Sequence, residues 1–142
     1  MSKRNLLILT VGLLLLALAA CGGGGGSAET TAAEPEPVGD AANGEVLFSQ
    51  PVIGAANAPG CVTCHSLQPD VVIVGPSQAG LATRAGTRVA GQTAEEYIRN
   101  SILNPNDHVA EGFATGLMYQ NYANDLTTEE VDDLVAFALT LK

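Results

Sequence analysis

Three observations predict a mostly α-helical domain with long loops over residues 40–142. Two T-x-x-E capping boxes, at Thr93–Glu96 and Thr127–Glu130, each open a stretch with apolar residues at helical spacing. A third helical stretch follows Asp40, a good capping residue. Between these stretches lie long runs rich in Gly, Pro and Asn that hold no period.

Taken in order, Asp40 to Gln50 reads as the first helix, with Val46, Leu47 and Phe48 as its apolar side and Pro51 as its stop. Residues 50–60 read as loop. Val71-Val72-Ile73-Val74 has the form of a short buried strand, and Gly75-Pro76 ends it. Ser77 to Arg84 reads as a short helical piece and residues 85–92 as loop. The Thr93 capping box begins a helix with Tyr97, Ile98, Ser101 and Ile102 on one face. Asn104-Pro105 closes it, because the residue before proline is pushed out of the α region. Residues 106–126 form a long aperiodic loop, a length that in a small domain points to function. In the last helix Val131, Leu134, Val135, Ala138 and Leu141 make one docking stripe.

The most specific signal is Cys61-Val62-Thr63-Cys64-His65. The C-x-x-C-H spacing is that of c-type haem attachment. Two thiols one helical turn apart add to the two vinyl groups as thioethers, and the next imidazole then reaches the iron. A thioredoxin-like reading expects a βαβ context that is missing. A structural zinc site needs four N/S ligands, and only Cys21 and His108 remain to complete one. There is no tryptophan, so a covalently held macrocycle would supply apolar bulk to the core.

The start of the chain has a different character. Lys3 and Arg4 precede an apolar run from Leu6 to Ala17, too short for a membrane span and of signal-peptide form. Leu18-Ala19-Ala20 before Cys21 resembles a bacterial lipoprotein cleavage box, with Cys21 as the lipidated new N-terminus. The expected organisation is therefore a leader at 1–20, a flexible lipid-anchored linker at 21–39 and a folded domain at 40–142. The linker holds five consecutive glycines and then Glu34-Pro35-Glu36-Pro37, and cannot bury enough apolar surface to fold. Export through such a leader anchors the domain to the outer face of the cell membrane or to a periplasm-facing membrane. Losing Lys3 and Arg4 takes the formal charge from −9 to −11, which speaks against nucleic acid as a partner.

From Asp40 onward the sequence resembles a class I, mono-haem cytochrome c. Four signals stand in that family's order: Gly44 with Phe48, the Cys61–His65 motif, Gly75-Pro76, and Leu134 with Phe137. The run from Tyr97 to Asn106 is similar to the cytochrome c domains associated with oxidase subunit II. The resemblance implies crossed N- and C-terminal helices with the haem in the core. It implies a hydrogen bond from the His65 ring to the Pro76 carbonyl, and Met118 as the distal ligand from the long loop. The family usually has proline after that methionine; Tyr119 leaves the loop without this restraint.

His108 stays open as a second distal candidate, in a bis-histidine site. Arg99 reads either as a partner of a haem propionate or as a solvated helix residue. Tyr97 and Tyr122 read either as packing against the porphyrin or as plain core. No Ser-His-acid set, paired carboxylates or phosphate-cradling loop appears, so no enzyme activity is expected. The resemblance implies one covalent haem c and a one-electron carrier of a respiratory or photosynthetic chain. Its partners would be a quinol-oxidising complex and a terminal oxidase or reaction centre. The alternative is a haem enzyme or gas sensor, which needs an open distal iron position.

Overall fold

A computed structural model describes residues 38–142. The leader, Cys21 and nearly all of the 21–39 linker lie outside the described residues. The domain is mostly helical, as the capping signals predict. Helix α1 spans Ala41–Ser49 and its carboxylate cap is Asp40, which accepts from the N–H groups of Ala42 (2.8 Å) and Asn43 (3.4 Å). Only Gly44 and Phe48, four residues apart, are buried along it. Val46 is 58% exposed, contrary to its expected place on the apolar side. At 100° per residue it lies two steps from Gly44 and Phe48 and faces the opposite way.

Residues 50–60, read as loop, contain a minimal antiparallel pair. Strand β1, Val52–Ile53, lies against β2, Ala58–Pro59, in the register Val52↔Pro59 and Ile53↔Ala58. Ile53 and Ala58 are buried, and two residues per strand are too few to show alternation in a sequence. A 3₁₀ turn at Cys61–Thr63 follows. The Val71–Val74 run is not a buried strand. All four residues are exposed, Val72 by 60%. Val72 makes one isolated bridge with His65, and the N–H groups of Val74 and Gly75 donate to the Cys64 carbonyl. The segment wraps the end of the cysteine motif and joins no sheet.

Helix α2 is Leu81–Ala85 and α3 is Ala94–Leu103. The Thr93–Glu96 capping box forms in full: Glu96 N–H donates to Thr93 Oγ1 (3.2 Å) and Thr93 N–H to Glu96 Oε2 (2.8 Å). A single turn, α4, spans Tyr122–Asp125, and α5 spans Thr128–Ala138 behind a second complete capping box. Val131, Leu134, Val135 and Ala138 are buried on α5 as expected, and so are Asp133, Ala136 and Phe137. The buried face is wide because α5 is packed from two sides, by α1 and by α3. Leu141 lies past the helix end. Its side chain still packs against the core, and its carbonyl accepts from the N–H of Ala82 (2.9 Å).

Helices α1 and α5 make the most extensive helix contact in the fold. The Phe48 and Phe137 rings meet there at 5.5 Å between centroids, tilted by 54°. The N–H of Asp40 donates to the buried Asp133 carboxylate (2.6 Å), which ties the start of the first helix to the middle of the last. Among the described residues, no helix is long and apolar enough to cross a membrane.

Candidate functional site

The cysteine motif folds as a tight turn. Cys64 and His65 N–H groups both donate to the Cys61 carbonyl (3.1 and 2.9 Å), and Thr63 Oγ1 donates to Gly60 O (2.6 Å). This local winding brings Cys61, Cys64 and His65 to the wall of one large, mainly apolar cavity, with about 1250 Å³ of empty space counted to its open mouth. Neither cysteine is in a disulfide. Burial pushes the Cys61 thiol up to about 11, so it is a neutral thiol. A reactive thiol-redox cysteine has the opposite, a stabilised thiolate. Nor do three or more His, Cys, Asp or Glu side chains converge on one point among the described residues, as a tetrahedral zinc would need.

His65 is oriented from behind. Its Nδ1 lies 2.8 Å from the Pro76 carbonyl, which can only accept, so Nδ1 carries the proton and Nε2 keeps its lone pair. Burial lowers the tendency of the ring to charge, opposed by that carbonyl bond. Gly75 is required by the same arrangement. A Cβ there would fall 2.8 Å from Nδ1 and 3.1 Å from Nε2 of His65. The Gln78 amide also lies 2.8 Å from Nδ1. With Nδ1 protonated that approach is not a hydrogen bond, and the same amide nitrogen donates instead to Pro76 O at 3.3 Å.

The long loop supplies other walls. Met118 lines the cavity, and so does His108, whose ring stands edge-on to Tyr97 at 5.5 Å. Both distal candidates therefore reach the site. Tyr97, Ile98, Ser101 and Ile102 line it from α3, the face their spacing defined.

Two expected residues are elsewhere. Arg99 does not line the cavity; it is on another face of α3, bonded to Asp132 (2.5 Å) and Glu95 (3.2 Å). Tyr122 is buried outside the cavity lining, and its hydroxyl donates to Pro59 O (2.6 Å). Burial, then the nearby cysteines, raise its pKa. The cations that do line the cavity are Arg84 and Arg88, which sequence reasoning missed. The available signal was their i, i+4 spacing in a chain with six Lys and Arg residues. Arg84 is oriented by donation to the Ala79 and Ser77 carbonyls. Burial, and after it the charge of Arg88, hold its pKa below the ordinary value. An acidic group in the cavity would relieve that repulsion.

These residues fit a haem bound through thioethers: two free cysteines, an imidazole with a free Nε2, a thioether, apolar walls and two cations for acidic substituents. A family model described as Cytochrome c matches residues 41–142. No curated protein matches the chain.

Proposed function

The chain belongs to the cytochrome c family, and from that premise we propose that it is a membrane-tethered one-electron carrier with one haem c. Cys61 and Cys64 would hold the haem covalently, and His65 and Met118 would bind its iron. The observation that carries this reading is the shared cavity wall: both thiols, the oriented His65 ring and Met118 all face one space. When bound, the haem supplies a one-electron iron couple whose potential a methionine ligand raises.

The protein's own residues do the rest. The Pro76 carbonyl holds the His65 ring in the tautomer that leaves Nε2 basic. Arg84 and Arg88 would neutralise the haem's acidic substituents. The apolar walls would keep water from a bound haem. Met118 on the cavity disfavours the open-site enzyme or sensor.

Tethering rests on the leader and Cys21. Two acyl chains on Cys21 would suffice for stable anchoring where one would not. A flexible linker of seventeen residues (22–38) would span roughly 20–25 Å r.m.s.. Confinement near the membrane raises the concentration of the domain at its partners. Those partners would be a quinol-oxidising complex upstream and a terminal oxidase or reaction centre downstream; a permanent place in such a complex fits equally. The net negative charge suits a basic docking face.

The test is maturation outside the cytoplasm. The protein should be red and keep its haem after denaturation, and a Cys61→Ser, Cys64→Ser double variant should lose it. A colourless wild-type protein that binds zinc would overturn the assignment. Cys21→Ser should release the domain from membranes without altering its haem spectrum.

A further inference from the structure

The loop that carries Met118 lacks the usual means of holding a backbone in place. From Ala114 to Gln120 no backbone group is hydrogen-bonded to another backbone group. Gly112 and Gly116 both adopt positive φ (86° and 82°), where glycine is the least restrained residue. Whatever fixes Met118 must therefore come from side chains.

Side chains hold the loop on two sides. Asn106 reaches across it, accepting from Gly116 N–H (2.8 Å) and donating to Gln120, whose amide nitrogen donates to the Met118 carbonyl. These bonds tie the loop to itself. Tyr119 does something different. Its hydroxyl donates to Asp125 Oδ2 (2.6 Å) on α4, and its ring stands edge-on to Tyr122, 5.0 Å away at 70°. Tyr122 in turn is 5% exposed and donates to the carbonyl of Pro59. Pro59 belongs to β2 and is followed by Gly60 and Cys61. The chain of contacts runs from the residue after Met118 to the residues just before the cysteine motif.

We propose that Tyr119, anchored by Asp125 and Tyr122, is a positioning residue that keeps the Met118 sulfur on the iron. The proposal rests on the reading of Met118 as distal ligand. Tyr119 and Tyr122 do not line the cavity, so neither touches the haem site directly. They act by coupling the loop to α4 and β2. The bond is short for an oxygen–oxygen pair (2.6 Å), and the Tyr119 ring is partly covered where it packs on the core.

The experiment uses the full-length haem-loaded protein and imidazole as an exogenous ligand. In the ferric state imidazole competes with Met118, and the weak far-red sulfur-to-iron band reports the thioether bond. Removing the Tyr119 hydroxyl should increase the fraction of molecules with the sulfur displaced. Tyr119→Phe is therefore expected to bind imidazole about tenfold more tightly, since apparent affinity follows the competent fraction. Its far-red band should weaken while its covalent haem is retained. Asp125→Ala should behave alike. Asp125→Asn, which keeps an acceptor oxygen, should restore most of the wild-type behaviour.

Imidazole affinity for Tyr119→Phe within about twofold of wild type, with an unchanged band, would overturn the clamp. Should Tyr119→Phe fail to load haem, Asp125→Ala gives the same reading from the other end of the bond. Met118→Ala separates the clamp from the ligand. A band lost in Met118→Ala but unmoved in Tyr119→Phe defeats the clamp alone. A band surviving in Met118→Ala defeats the ligand reading, and the clamp with it.

Discussion

Gly44 of α1 sits directly against the backbone carbonyl of Asp133 on α5. A Cβ at Gly44 would fall 2.6 Å from the Asp133 carbonyl carbon and 2.7 Å from Phe137 Cβ, with the Asp133 oxygen nearer still. Backbone cannot rotate away as a side chain can, so the two helices would have to separate. Gly44→Val should lower stability by at least the ~1–3 kcal/mol typical of overpacking. At about 4–8 °C per kcal/mol for a domain of this size, the fall in thermal midpoint of the haem-loaded protein is easily read. Val46→Ala, two residues away but exposed, should stay within about 0.5 kcal/mol of wild type. Equal midpoints for Gly44→Val and wild type would contradict the crossing.

Gly75→Ala tests the orientation of His65. The added methyl meets the imidazole ring at Nδ1 and Nε2, so the ring must turn from Pro76 O or the 64–76 loop must shift. Either change alters the imidazole's basicity. The midpoint potential should move, and the haem should remain covalently attached. A potential identical to wild type would show that Gly75 does not support the ring.

Cation placement distinguishes Arg84 and Arg88 from Arg99. The first two line the cavity, while Arg99 is committed to Asp132 and Glu95. Removing a positive charge beside the haem should favour the oxidised state. Arg84→Gln or Arg88→Gln should lower the potential by ~30–60 mV, up to a decade at about 59 mV per decade for one electron. Arg99→Gln should leave it nearly unmoved. The reverse pattern would return the propionate role to Arg99.

These contrasts show where the chain could be read directly. Capping boxes at Thr93 and Thr127 and the stripe Val131, Leu134, Val135 are local patterns, and local hydrogen bonds and helical period realise them wherever the helix docks. The cysteine motif is legible because its chemistry demands its spacing. The face of a helix that meets a cavity is a tertiary property. Nothing in the sequence says that Arg99 turns to Asp132 while Arg84 and Arg88 turn inward. Val71–Val74 misled for a related reason: an apolar run signals burial only where a partner sheet exists. The Val52–Pro59 pairing is too short to carry any period.

Glu96 gives a pH-dependent outcome. The Thr93 backbone N–H, and then its hydroxyl, hold the Glu96 carboxyl below its ordinary pKa. A depressed folded-state value means the stabilisation is fully present above the unfolded value, about 4.3, and is lost as pH falls through the lower folded value. Wild-type stability should therefore fall across that acid window, and Glu96→Gln should fall less steeply. Parallel acid profiles of the two proteins, followed by circular dichroism, would show that the capping carboxylate is not a source of the dependence.

We propose that this domain carries one electron at a time on a single haem. A potentiometric titration of the visible spectrum of the purified, haem-loaded protein tests it most directly. The expected result is one reversible transition with a slope of about 59 mV per decade, as for a one-electron couple, superimposable in the oxidative and reductive directions. A slope near 30 mV per decade, two separate transitions, or no reversible transition would contradict it.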